Sequence, residues 1–573
     1  MTLLASILAR AQPRLTDVFY GTDSGGTTDY KFTLDQFRMG IISVKDYRAV
    51  GDGSTNDTVA IQAAFTAAAV NGGTVYFPAT AANIYLIGDS GSTIAIESAT
   101  AEPYCILVGS NTSVIVDKNV TIKLADSQDA AMFINGGGVT GGTLDTNIHW
   151  EGGTLDGNKA NQSASPTATM PNLYFHNLQY CSFRNITFVN VKRRPARILG
   201  IRDSDLENLL CKDSDERGFH FGFGADRNGH QGFMLRCYID NVVADLVVLA
   251  PPLIGPPNPL AISAIDSHFG YIASHFSEGS IKVQNNTTGC IFEHIAVFDG
   301  GVGLKITDVG LTQNSFGVLE GRRNGEYNIL FEDSTYTNVG QMIAEGGGED
   351  GGAPSIRIGD NVNHVNIGSI VCQGHQLAGV VIRAATTELQ IGEIIVEGNN
   401  RADTGQQNLD IQGDNINIGR IINVGDAVAL VNRGIQIKST ASNVHIGSII
   451  NKLNFKLFAY QNQSTDSIRL DHMSFDGDPF LLHTGAATIG QFGAVHAADT
   501  SGGVFTLTVE DGTWLGESRK IWLKTAGNDL TVTVTNHETS SPEVFTMADV
   551  GDYLSLEWGG TKWVTVANFG AAV

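Results

Sequence analysis

Through the middle of this chain, pairs of apolar residues recur with two other residues between them: FRNI at Phe183, LENL at Leu206, IDNV at Ile239, then IGSI at Ile367, IGEI at Ile391, IGRI at Ile418 and IGSI again at Ile446. The twelve such cores from Phe183 to Leu470 begin 23, 33, 30, 23, 24, 23, 28, 24, 27, 28 and 24 residues apart. A base period near 23 with insertions is the mark of a solenoid. Between the cores lie segments such as GVGLKITD, AGVVIRAA and RGIQIKST, where β-branched and polar residues alternate and glycine stands at the corners. No unit holds a helical stretch of useful length. The pattern therefore predicts coils of short strands, each pairing with its equivalent one coil away at about 4.8 Å, with the Ile and Phe positions stacked into an apolar interior.

Open solenoid ends carry unpaired strand edges that something has to cover. At the front, NDTVAIQAAFTAAAVNGG reads as an amphipathic helix over 57–70, with Asn56 or Asp57 as N-cap, Ile61, Phe65 and Ala68 on one face and Asn71-Gly72 as its stop. From about Thr484 the cores vanish and a denser alternation begins, holding four of the five tryptophans, Trp514, Trp522, Trp558 and Trp563. Gly559-Gly560 between two alternating runs signals a hairpin. The reading is thus all-β: a right-handed parallel β-helix, a single-stranded solenoid over 43–483, with a capping N-terminal helix and a C-terminal antiparallel β domain over 484–573. Residues 1–42 form a small unit that needs a partner.

Composition sharpens this. Gly reaches 67 residues and charged residues only 17%, which suits tight turns and short strands. Lys plus Arg number 36 and Asp plus Glu 59, a net charge of −23 that repels nucleic acid and anionic membranes. The six cysteines show no CxxC and no ligand spacing, so buried free thiols are expected, with no metal and no cofactor. The N-terminal MTLLASILARAQPRLTDVF lacks a basic leader and a small-residue cleavage site, and reads as a short helix of the mature protein. No apolar run reaches the length of a membrane span.

The stretch SVKDYRAVGDGSTNDTVAIQAAFTAAAVNGGTVYFPA, Ser43 to Ala79, resembles the opening of the pectate-lyase-like β-helix superfamily as found in bacteriophage tailspike depolymerases, and WEGGTLDGN at Trp150 to Asn158 resembles an early coil of the same group. The resemblance implies a homotrimer on the phage virion, attached to a tail or baseplate protein through residues 1–42, with a C-terminal tip for trimerisation or glycan binding. It further implies binding and depolymerisation of a bacterial surface polysaccharide at the host cell surface. The NTD, DD, GHG and RxK set of the polygalacturonase branch is absent, and so is a calcium-binding aspartate set, so no catalytic residue carries over from those branches.

Stacked coils place the turns that follow each core on one outer strip, and carboxylates and arginines recur there: NVKRRP, KDSDERG, FDGG, EGRRNGE and EGGGEDGG. Glycoside hydrolysis needs two carboxyl groups roughly 5 Å apart for retention, or 6.5 to 9.5 Å for inversion. Asp213, Asp215 and Glu216 are the candidate catalytic group, their crowding expected to raise one pKa for a general acid, with Glu320 a further carboxylate. Arg193, Arg194, His220, Arg322, Arg323 and Glu326 are candidate sugar binders, and His220 or His230 with a tyrosine or arginine could instead abstract the C5 proton of a uronic acid. Hydrolysis is the leading expectation. A lyase acting by β-elimination, or a receptor-binding tail protein with no turnover, are the alternatives.

Overall fold

The computed structural model describes residues 18–22, 29–33 and 40–571, apart from 95–100, 137–143, 164–170, 216–217, 223–233, 248–259, 278–280, 400–406, 425–432, 453–457, 463–467, 477–480, 490–494, 513–517 and a few shorter stretches. The chain is a right-handed parallel β-helix. One ladder of long strands carries the repeated cores, running from Ser182–Val191 through Asp205–Ser214, Tyr238–Val247 and so on to Ile468–Asp476, every step parallel. A second ladder of shorter strands, here the wall, runs from Pro171–Gln179 and Arg194–Arg202 to Arg433–Ile437 and Phe458–Asn462.

The cores lie in register rung upon rung, as the spacing predicts: Val339 opposite Ile367, Ile367 opposite Ile391, Ile391 opposite Ile418. Phe269, Phe292 and Phe316 stack with ring centroids 4.5 and 4.8 Å apart, which is the rung spacing expressed in side chains. Within each core the first and last residues point inward while the middle two do not. At Ile367-Gly368-Ser369-Ile370, for example, both isoleucines are buried and Gly368 is exposed. Two successive outward residues turn the strand from one face of the coil to the next. The glycines of this corner lie directly against the rung before: a Cβ on Gly340, Gly368, Gly392, Gly419 or Gly447 would come within 2.4 to 2.6 Å of the preceding glycine's carbonyl oxygen. In the earlier coils the corner is turned by Asn185, Asn208 and Asn241 in left-handed backbone, linked side chain to side chain at 2.9 and 2.8 Å.

The capping helix spans Thr58–Asn71, and Ile61, Ala64, Phe65 and Ala68 enter the core, where Phe65 meets Phe77 and Phe133. Two details differ from the sequence expectation. The Asp57 carboxylate does not cap the helix but accepts the Val50 and Gly51 amides, while Asn56 Oδ1 accepts the Thr58 amide. The helix is also apolar beyond its buried face, since Val59 and Val70 are exposed. All six cysteines are free and buried, and burial pushes the thiols of Cys181, Cys237, Cys290 and Cys372 up to about 12.

Beyond the last coil a separate core forms from Leu507, Val532, Leu556, Trp558, Trp563 and their neighbours. The expected antiparallel pairing is found at Ser518–Thr525 with Tyr553–Trp558, at Leu530–Val534 with Glu543–Met547, and in the hairpin where Trp558 faces Trp563 across Gly559-Gly560. Parallel pairs precede it, such as Phe505–Val509 with Leu530–Val534, so parallel stacking carries on past residue 483. Of residues 1–39 only the antiparallel pair Val18–Thr22 and Asp29–Thr33 is described, and the helix expected before it lies outside the described residues.

Candidate functional site

The turns that follow the cores do form one strip. Each hands a backbone hydrogen bond to the next: Phe276 N to Phe298 O, Asp299 N to Arg322 O, Arg323 N to Glu345 O, Gly346 N to Gln373 O and Gly374 N to Glu397 O, all between 2.7 and 3.0 Å. Candidate residues far apart in sequence are thereby neighbours.

Asp213 and Asp215 close the long strand Asp205–Ser214, with Asp213 in left-handed backbone at φ 72. Both carboxylates are bound by one ammonium, that of Lys159 from two coils before, which lies 2.9 Å from Asp215 Oδ1 and closer still to Asp213 Oδ1. Lys192 reaches the other oxygen of Asp215 at 3.1 Å. Burial works against the charge on Lys159, but its bonds to Asp213 and Asp215 outweigh this and hold its pKa above the ordinary lysine value. The repulsion expected between the two aspartates is therefore offset by a cation lying between them. Lys159 has no signal in the local sequence, because it arrives from 54 residues away. Glu216 and His230 lie outside the described residues.

Glu320 stands on the outer face of the long ladder, four rungs from the strand of Asp213, or about 19 Å along the axis. It is buried, receives Arg322 Nε at 2.5 Å and pairs with His294 Nε2 at 2.8 Å. Arg322 also reaches Glu345 at 2.6 Å, and Arg323 forks onto both oxygens of Asp299 at 2.6 and 2.9 Å. These two arginines are thus held by the chain's own carboxylates. Glu326 is exposed in the turn between them and the next wall strand, and Arg193 and Arg194 lead into the wall, Arg194 being buried.

The wall holds what the sequence reading missed. The middle residue of each short strand faces outward, flanked by inward core residues. In register these middle residues are Tyr174, Arg197, His220, then, past the strand Leu260–Ile262, Lys282, Lys305, Leu330, Arg357, Val381 and Asp410. Arg197 lies over the Tyr174 ring at 5.3 Å and donates to its hydroxyl at 3.3 Å, and His220 is the next rung. A second outward column carries Glu332, Gly359, Arg383 and Lys438. Arg357 bridges Glu332 at 2.9 Å and Asp360 at 2.8 Å. Burial raises the pKa of Glu332 against the pull of Arg357, and that of Asp410 against the pull of Lys438. A signal was present: Lys305, Arg383 and Lys438 sit in GLKITD, VVIRAA and IQIKST, each placed by the alternation on the outer face.

Two surface grooves run along the other corner, that of the cores themselves. One, of about 670 Å³, is bordered by Glu151, Asn185, Asn208 and Asn241, and the other, of about 580 Å³, by Asn338, Asn366, Gln390, Asn417 and the glycine stack. Amide side chains and glycines recur along both, Lys118 and Glu151 add charge to the first, and neither is lined by Asp213 or Asp215.

Residues 41–90 match the family model described as Rhamnogalacturonase A/epimerase, pectate lyase-like. Mannuronan C5-epimerase AlgE3 of Azotobacter vinelandii is 30% identical over 249 residues, which are 42% of this chain and 12% of that protein. The chain thus spans a small part of the curated relatives it matches. Among solved structures, tailspike protein 3 of bacteriophage CBA120 is similar with a TM-score of 0.46 and 12% identity, covering 99% of this chain and 76% of that one. The tailspike of E. coli bacteriophage HK620, solved as a double mutant in complex with a pentasaccharide, gives 0.41 and 11%, covering 98% and 96%. With its coils, its capping helix and the matched segment at their start, the chain is a parallel β-helix protein with a pectate-lyase-like opening.

Proposed function

We propose that this protein binds and depolymerises a bacterial surface polysaccharide by glycoside hydrolysis, as a phage tailspike would, with Asp213 and Asp215 as the catalytic carboxylates. The observation that carries this reading is the shared lysine. Two carboxylates gripping one ammonium have their nearest oxygens within roughly 5 Å, the separation of a retaining glycosidase. In this reading Asp215, held in place by two lysines, is the nucleophile, and Asp213, the more exposed of the two, faces the leaving oxygen as the acid. Arg193 and Arg194 begin the wall beside them and position the sugar. Trimerisation, attachment through residues 1–42 and action at the host surface belong to the same proposal, and light scattering of the full chain tests the trimer.

A second reading is favoured by the register of Tyr174, Arg197 and His220. Here His220 takes the C5 proton of a uronic acid whose carboxylate Arg197 neutralises, the C5–H pair forms a C4–C5 double bond, and the C4–O bond breaks with its pair going to the departing oxygen, which takes a proton from water. Incubation with host capsule or lipopolysaccharide separates the readings. Oligosaccharide release lost in Asp213→Asn and in Asp215→Asn supports hydrolysis. Full release in both single variants overturns that assignment, and release with new ultraviolet absorbance that is abolished by His220→Ala replaces it with elimination.

A further inference from the structure

The wall differs in charge from the chain that builds it. Overall the chain carries −23. On the two outward columns, however, Lys282, Lys305, Arg357 and Arg383 stand within six rungs of one another, and the carboxylates among them are Glu332 and Asp410. Both of those carboxylates are pushed by burial toward the neutral form. The cations are half-buried rather than extended into water. Lys305 has no ion pair among the described residues, and neither has Arg383, whose Nε is buried with no hydrogen-bond partner. Arg383 lies across Gly359, where any Cβ would meet its Cγ at 2.5 Å, so the neighbouring rung leaves it a slot. Arg357 already pairs with Glu332 and Asp360, whereas Lys305 and the buried side of Arg383, which feels Glu332 and Asp410 only at longer range, leave positive charge partly withdrawn from water and incompletely met, a cost that an incoming anion would recover.

We propose that this wall is a binding track for an anionic glycan, whose acidic groups are met by Lys305 and, three rungs beyond it on the second column, by Arg383, with Lys282 one rung before Lys305 and Arg357 two rungs beyond it adding positive charge beside their own partners. At about 4.8 Å per rung the four cations are separated by one, two and one rungs, roughly 5, 10 and 5 Å along the solenoid axis, which suits a linear polymer bearing charge on successive units. The inference rests on the polysaccharide reading above and adds the substrate's charge to it.

The test measures binding of polygalacturonate, dextran sulfate and neutral dextran to the full chain and to the Lys305→Gln/Arg383→Gln double variant, with thermal unfolding as a check on the fold. Wild-type protein should bind the two charged polymers and not dextran, and the binding should weaken as salt rises from about 0.05 to about 0.5 M. The double variant should lose about tenfold in affinity for both. The stronger of the two identifies the anionic group as carboxylate or sulfate. Equal binding of dextran, or unchanged affinity in a folded double variant, overturns the track. Oligosaccharide release from a neutral bacterial polysaccharide, independent of salt, would sink this inference and leave the proposed function standing. Salt-sensitive binding of the polyanions without release from any bacterial polysaccharide would do the reverse.

Discussion

Gly368 is seated on the carbonyl oxygen of Gly340, so close that a Cβ at Gly368 would stand 2.4 Å from it. The same contact repeats at Gly392, Gly419 and Gly447, and it explains why the chain writes Ile-Gly so often. The isoleucines are core, and the glycine is what allows one rung to rest on another at a corner. Gly368→Ala should therefore cost about 2 kcal/mol, the penalty of overpacking against backbone that cannot yield. Ser369→Ala, at the next position, should stay within about 0.5 kcal/mol. Urea midpoints of the two variants check this, and equal midpoints would contradict the corner contact.

Lys159 makes a second prediction. Replacing it by Met removes the one ammonium that both Asp213 and Asp215 hold, and with it the contact that sets the two carboxylates beside each other. Oligosaccharide release should fall by about a hundredfold while the fold is kept. Full release by folded Lys159→Met would show that the shared ammonium does not position the pair.

His375 is fully buried where one turn stacks on the next, receives the Leu377 amide on Nδ1 at 3.2 Å, and burial lowers its pKa from 6.5 to about 4. The unfolded chain therefore takes up this proton first as pH falls. The contribution is fully present above pH 6.5 and is lost between there and about 4, amounting to about 3 kcal/mol at most. Stability against urea should decline across that window, and His375→Gln should flatten the slope. A slope unchanged in the variant would assign it to other groups.

Much of the fold was legible because it is written in apolar residues with a period. The Phe and Ile cores, the capping helix and the Trp558 to Trp563 hairpin all follow from which side chains must leave water. The candidate site was legible only in part. Asp213 and Asp215 could be placed on a corner, yet the ammonium that binds them comes from another coil, and no local pattern announces it. The wall was hidden for a different reason. In a three-residue strand such as Leu304-Lys305-Ile306 the outward position is obvious, but seeing a track requires aligning strands whose separations vary with every insertion. The caps of the helix fall on the expected residues, Asp57 before it and Gly72 after it, and only the bonding of the Asp57 side chain was not legible, because its carboxylate holds the Val50 and Gly51 amides of the turn before it.

The helix at Thr58–Asn71 also gives the column a direction. Its Phe65 sits among Phe77 and Phe133, so the first coil is sealed by a unit unlike any that follows. No further coil can be laid on that end. Added length therefore has two places to go, as whole rungs between the seal and the tryptophan-bearing end or as extra residues at the corners, and core spacings of 23 to 33 residues show that the corners absorb such residues while the rungs stay in register.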